Sequence, residues 1–427
     1  MYKMMRIYCL ILTVCWGLSA FGTAAEALRE MPAASQYPIT PQDPNDMAQE
    51  PNIPLDIVAE GVVDVNLPAP VLSVMTGATE LPTFTYRLTY RTKELTDGDS
   101  WKLYQEFFAS DPNHPERQPD AAFLRNQLAL PLDKMDTEKV AAHLEHCTAK
   151  LDLLEQAVQC RTTTWPKIQT TTEIPPHRHA PRPSYSYDPP TGSEQPILKI
   201  KDIPALLKQL DTAGLLLTAK ARYHLSRGEY DVACQWLQAA LAQGRQMTVD
   251  TDAILAMAGA VNVGRVVEQI EAWVQQPQSP SLFRPLGDLP RPLIAFSNIT
   301  QKERYSDENW QEPYDILEVE PEFLAQSPRI VQAIERMMAA LQCIEAIRLH
   351  AALNDGRFPQ SMTEITDVRV PLDPVTRQAF GYSLKDGTLT LSSEDISTGK
   401  PLEFHYRIIH TPQSDTPDMM GMGPMGF

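Results

Sequence analysis

Apolar side chains recur at helical intervals in several stretches of this chain, and clusters of proline hold the stretches apart. That combination restricts the fold to packed helices joined by stiff, non-helical connectors. Over 137–159, Val140, Leu144, Cys147, Leu151, Leu154 and Val158 fall at spacings of four and three, which predicts one amphipathic helix. Asp136 or Thr137 can cap its start by accepting backbone N–H bonds. From Asp202, Leu206, Leu210, Leu217 and Ala221 mark the inner side of a second helix, and Gly228 ends it. Tyr230 to Ala242 makes the return helix. A third begins at a capping Asp250 and carries Ile254, Val261, Val267, Ile270 and Val274. It also holds Ala256, Ala258, Gly259, Ala260 and Gly264, which leave room for a neighbouring helix to approach closely. A long helix over 329–353 places Ile330, Ile334, Met337, Leu341, Ile344, Ile347 and Ala351 on one face. Asn354-Asp355-Gly356 stops it, because Asn and Gly enter the left-handed cap easily.

Proline lacks the N–H that a helix or ladder needs, so its clusters mark connectors. One runs over 165–197, from Pro166 to Pro196, and reads as a loop or linker. Another contains Pro277, Pro280, Pro285, Pro290 and Pro292. Its Leu286–Leu293 part alternates apolar residues with prolines and is expected to be ordered, with Arg291 bridging Asp288 as a structural staple. Strand signals are few. Phe84, Tyr86, Leu88 and Tyr90 alternate with polar residues, the period of a half-buried strand. Phe380–Leu384 and Thr388–Ser392 flank an Asp386-Gly387 hairpin turn, and Phe404–Ile409 supplies a further strand.

The start of the chain has the order of an export signal. Lys3 and Arg6 precede an uncharged, mostly apolar run from Ile7 to Phe21, and small residues follow at Thr23, Ala24 and Ala25. Cleavage is expected after Ala25, with Ala27 as the alternative site and an uncleaved anchor as the alternative outcome. Val14 is too large to precede a lipidated Cys15. The expected address is the periplasm or another exported compartment. The resulting division is a signal over 1–25, an extended or disordered leader with one possible strand over 26–98, and a helical segment over 99–164. The linker over 165–197 leads into a helical domain over 198–325, an α+β domain over 326–410 and a disordered tail over 411–427. The fold class is therefore mostly α: a helical body, then a small α+β domain with a long helix and a short antiparallel sheet.

A net charge of -17 and a pI near 5.0, with no basic cluster, argue against nucleic acid as a partner. Cys147, Cys160, Cys234 and Cys343 lie far apart without a CxxC pair, so neither a disulfide framework nor a zinc knuckle is indicated. Cys147 and Cys160 can pair if their helices allow it; buried free thiols are the preferred reading for Cys234 and Cys343.

Ala221, Gly228, Tyr230, Ala233, Leu237 and Ala240 resemble the small–Gly–aromatic–Ala–large–Ala ladder of a tetratricopeptide repeat, with Lys220 where the repeat usually has Leu. That resemblance implies one repeat-like pair of antiparallel helices with small residues at their contact. The long helix, Phe358-Pro359, Pro371-Leu372-Asp373-Pro374 and the hairpin resemble the C-terminal part of type II secretion pseudopilins. The resemblance implies a helix packed on a small antiparallel sheet. The order of Pro131-Leu132-Asp133, Gly228-Glu229-Tyr230-Asp231, Val274-Gln275-Gln276-Pro277, Asp288–Leu293 and Val370–Pro374 is similar to that of a family of uncharacterised exported proteins of planctomycete-type bacteria. It brings no activity with it.

Candidate chemistry is sparse. His143 and His146, three apart on a helix, can face one metal ion beside Cys147, with His177 or His179 needed as a further ligand. A solvated helix edge is the competing reading. Glu394 and Asp395 follow the hairpin where calcium-binding pseudopilins carry an acidic loop; an acidic surface turn is the competing reading. No G-x-S-x-G, H-E-x-x-H or phosphate-cradling glycine loop is present. No catalytic residue and no cofactor are assigned. The expected role is protein–protein interaction or scaffolding with other envelope proteins, with membrane contact only through the signal segment if it is retained. The alternatives are an accessory of a secretion or pilus-like system, and a hydrolase with an unrecognised site.

Overall fold

Local capping starts the first helices. A computed structural model describes residues 71–74, 86–109, 118–169, 197–199, 202–249, 251, 253–276, 279–294, 321–394 and 401–410. All belong to one compact unit; the other unit, Tyr8–Ala69, lies outside the described residues. Helix α1 (Ser100–Phe108) begins where Asp99 accepts the Trp101 N–H at 3.1 Å. Helix α2 (Ala121–Ala129) begins where Asp120 accepts the N–H groups of Ala122 and Phe123, both at 3.0 Å. Asp136 caps α3 (Thr137–His146) through the Lys139 N–H, as the sequence indicates. The single helix expected over 137–159 is, however, two helices, α3 and α4 (Thr148–Val158). At the break, Cys147 has ψ 10°, and the Thr148 hydroxyl donates to the Glu145 carbonyl at 2.7 Å, competing for an acceptor the helix would use. The apolar stripe survives the break, with Val140, Leu144, Cys147, Leu151, Leu154 and Val158 all buried.

Short parallel strands tie these helices down. β2 (Thr96–Asp99) pairs with β3 (Cys160–Thr162), bringing the start of α1 to the end of α4. β4 (Lys167–Gln169) pairs with β5 (Ile197–Lys199), so the linker read over 165–197 has an ordered strand at each end. The strand expected around Tyr86–Tyr90 is absent. Residues 86–90 carry no ladder, because the chain bends at Leu88 and Thr89; Leu88 is buried and Phe84 lies outside the described residues.

The central stack is α5 (Ile203–Ser226), α6 (Tyr230–Gln246) and α7 (Ala253–Val274). Gly228 ends α5 with φ 70°, which a side chain would resist. The small residues of α7 do bring the helices together. A Cβ on Gly259 would stand 2.5 Å from the Gly244 carbonyl oxygen, and one on Gly214 would stand 2.5 Å from the Asn262 amide. Asp250, the expected cap of α7, lies outside the described residues.

The last helix, α9 (Pro321–Leu353), starts earlier than expected and runs through Pro328. A short helix, α8 (Phe283–Gly287), precedes it within the proline-rich connector. The apolar face of α9 is buried as read from its spacing. So are four charged residues: Glu335, Arg336, Glu345 and Arg348. Each fastens another segment. Glu345 accepts the Ser281 hydroxyl at 2.6 Å, the Leu282 N–H at 3.1 Å and Arg348 at 2.5 Å. Arg348 also donates to the Ser279 hydroxyl and carbonyl. Glu335 accepts Arg291 at 2.6 Å together with the Leu293 N–H. The expected Arg291–Asp288 bridge is thereby corrected: the staple exists, but a buried helix carboxylate supplies its other half. Arg336 donates to Asp373 at 2.9 Å, to Ser393 at 2.9 Å and to the Glu394 carbonyl. Asp373, from the Pro-Leu-Asp-Pro turn, is fully buried.

A three-stranded antiparallel sheet closes the described chain: β6 (Gly381–Lys385), β7 (Thr388–Glu394) and β8 (Pro401–His410). Asp386 and Gly387 form its turn with φ 50° and 71°, as the Asp-Gly pair predicts. β1 (Val71–Val74) adds a parallel strand beside β8, so part of the segment read as an unstructured leader is a sheet edge, with Leu72 buried. Tyr406 on β8 donates to the buried Glu271 of α7 at 3.1 Å. The protein is thus mostly helical with a C-terminal antiparallel sheet. Among the described residues, no helix is long and apolar enough to cross a membrane.

Candidate functional site

A recess lies between segment 86–94 and the polar face of α6. Asp231, Gln235 and Gln238 sit at spacings of four and three, so they share one face. Ala233, Leu237 and Ala240 bury the opposite side. Across from α6 the chain bends at Leu88 and Thr89 and then makes one 3-10 turn, Thr92–Glu94. Glu94 holds that turn: its carboxylate accepts the Arg91 N–H at 2.8 Å and pairs with Arg87 at 3.1 Å. Buried Leu88 anchors the segment, and the Cys234 thiol donates to the Arg87 carbonyl at 3.4 Å. The groove between these walls has a volume of about 730 Å³, with Gln159 at its edge.

Burial keeps the protons on the two tyrosines and the thiol of the groove. Burial, then the adjacent Asp231 carboxylate, pushes the Tyr86 hydroxyl up to about 12. Burial lifts Tyr90 to about 12 against a hydrogen bond with Gln159. Burial also lifts the Cys234 thiol to about 12, which keeps it protonated and a poor nucleophile. Glu94 is held below the usual carboxylate range by the Arg91 N–H and, against the opposing effect of burial, by Arg87. Besides Gln159, which is engaged with Tyr90, what remains is two tyrosines, the Gln235 and Gln238 amides and the Asp231 carboxylate. The groove can hydrogen-bond and stack; it does not pair a base with an activated nucleophile.

The residues singled out from sequence are elsewhere. His143 stacks on Phe123, with ring centroids 5.3 Å apart, and its Nε2 accepts the Asp120 N–H at 3.2 Å. Cys147 Sγ lies 3.9 Å from the same nitrogen. Burial lowers the pKa of His143, in keeping with a neutral acceptor at the start of α2. His146 is exposed, and no group of three or more His, Cys, Asp or Glu among the described residues converges as a metal site. His177, His179 and Asp395 lie outside those residues. Glu394 borders a smaller polar recess of about 400 Å³ with Thr376, Gln378, Ser392 and Ser393, and its carbonyl is taken by Arg336. The cysteines are free and buried. Cys147 and Cys160 stand at opposite ends of α4, about 16 Å of helix apart, too far for a disulfide.

Sequence reasoning passed over the groove because its walls come from segments about 140 residues apart. One signal was present: the Asp231–Gln235–Gln238 stripe has helical spacing opposite the apolar one. No family model, curated protein or solved structure matches the chain.

Proposed function

We propose that this is an exported envelope protein that works as a docking scaffold, with the groove beside α6 as its contact surface. The observation that carries the reading is the groove's chemistry: tyrosines and glutamine amides around a buried, protonated thiol. Tyrosine is enriched where protein surfaces recognise partners, since its ring supplies area and its hydroxyl a hydrogen bond. A tetratricopeptide-like reading of α5 and α6 agrees with this. Ala221, Ala233, Leu237 and Ala240 are buried, and Gly228 turns the chain between the helices. Tyr230 packs its ring 5.0 Å from Trp273, so the aromatic of the motif also ties the helix pair to α7. The buried charge pairs on α9 fit a scaffold as well, because each fixes a loop at one defined place.

The test is affinity capture from envelope extract with the wild-type chain and with Gln238→Arg, which places bulk and charge in the groove. A scaffold retains specific partners that the variant loses. Capture of nothing specific, or equal capture by both, would falsify the reading. A second reading, an accessory of a secretion or pilus-like system, is favoured by one feature: α9 packs against a Pro-x-Asp-Pro turn and an antiparallel hairpin, joined through Arg336 and Asp373. Co-fractionation with secretion components supports it, and uniform soluble behaviour in the periplasm counts against it.

A further inference from the structure

The unspent groups of the groove specify what would fill it. Arg87 is already paired with Glu94, whereas the structure records no cation within ion-pair distance of Asp231 among the described residues. The groove's uncompensated formal charge is therefore one exposed carboxylate, on a chain whose net charge is -17. Nor do the Gln235 and Gln238 side chains make a hydrogen bond among those residues. Each amide offers a donor and an acceptor, the same pair that a peptide unit presents. Side chains three apart on a helix stand roughly 5–6 Å from one another. Peptide groups facing the same way along an extended strand repeat at about 6.6 Å. Two glutamines on one helix face can thus read two such groups of a strand laid along α6. Tyr86 and Tyr90 line the same groove, and aromatic rings attract cations.

From this, and resting on the docking role proposed above, we infer that the groove takes an extended peptide segment bearing a lysine or arginine. Gln235 and Gln238 bind its backbone, and Asp231 binds its cationic side chain. The overall negative charge draws such a segment in at low salt.

The experiment uses the full chain and a dye-labelled acetyl-Gly-Val-Lys-Val-Lys-Val-Gly-amide, followed by fluorescence anisotropy, with counterparts carrying norleucine or glutamate for lysine. The lysine peptide is expected to bind, and the two counterparts are expected to bind at least tenfold more weakly. Asp231→Asn should weaken the lysine peptide about tenfold while leaving the norleucine peptide unchanged. Gln235→Ala combined with Gln238→Ala should weaken all three. Urea midpoints of the variants confirm that they are folded. Equal binding of the lysine and norleucine peptides, or indifference to Asp231→Asn, overturns the inference. Photo-cross-linking in envelope extract from Lys93→p-benzoylphenylalanine, on the exposed Thr92–Glu94 turn beside the groove, separates it from the docking role. A captured partner whose linked segment has no lysine or arginine overturns the inference and leaves docking standing. No captured protein at all overturns both.

Discussion

Gly259→Ala tests the packing that holds the helical stack together. The added Cβ would lie 2.5 Å from the Gly244 carbonyl oxygen and 2.9 Å from both Met247 Cβ and Thr248 Cγ2. None of these is the far end of a flexible side chain. Backbone and Cβ atoms move only if α6 and α7 separate, and Gly244 closes the same contact from the other side: its own Cβ would meet Val263 Cγ2 at 2.9 Å. Overpacking of this kind costs about 1–3 kcal/mol, and contact with backbone belongs at the upper end. Alanine returns up to about 1 kcal/mol through its better helix propensity. The net expectation is a destabilisation of about 2 kcal/mol, measured by urea unfolding followed at 222 nm. Gly228→Ala is the control, since nothing lies within 4 Å of its Cβ and only its φ of 70° opposes the change. It should cost about 1 kcal/mol. The double variant Gly244→Ala/Gly259→Ala should differ from the sum of its parts, because both residues strain one contact. A Gly259→Ala protein as stable as wild type, or more so, would refute the close approach of α6 and α7.

Three further expectations follow from buried groups. Asp373→Ala leaves Arg336 buried without its carboxylate and should cost about 3–5 kcal/mol, with faster hydrogen exchange in the β6–β7 hairpin; a loss below about 1 kcal/mol would contradict the latch. Burial pushes Asp373 up, but Ser393, the Val375 N–H and Arg336 together hold it below its ordinary value, so its contribution is full above the unfolded pKa and is lost as pH falls through the folded one. Glu268 behaves oppositely: burial lifts it from 4.5 to about 7 against Arg265, so the folded state binds the extra proton and stability falls as pH rises across that window. Glu268→Gln should flatten this slope and gain up to about 3 kcal/mol at pH 8, and an unchanged slope in urea titrations at pH 4.5–8 would disprove the assignment. The thiols of Cys147, Cys160, Cys234 and Cys343 are buried and raised by burial, so alkylation mapped by mass spectrometry should be slow in the native protein and rapid in urea; prompt native labelling of Cys234 would show that its wall of the groove is open.

Much of the local structure was legible from the residues alone. The apolar spacing along α5, α6, α7 and α9 reports burial because one face of a helix recurs every three or four residues. Asp136 caps, Gly228 stops and Asp386-Gly387 turns the chain because backbone geometry and nearby N–H groups set those preferences. Even the near contact of α6 and α7 was foreshadowed by the small residues around Gly259.

Tertiary structure decided what these elements meet. Tyr86, Leu88 and Tyr90 alternate as a strand would, yet alternation describes any extended chain, and a ladder requires a neighbour that the sequence does not place. Glu335, Arg336, Glu345 and Arg348 look like the solvent side of a helix until the loops carrying Leu293, Asp373 and Ser281 close over them. Arg291 pairs with Glu335 rather than Asp288 for the same reason: attraction acts through space, not along the chain. The groove likewise joins Tyr86 to Gln238 across the fold. Periodicity and capping act over a few residues and can be read in order, whereas charge pairing and surface shape depend on which distant segments folding brings together.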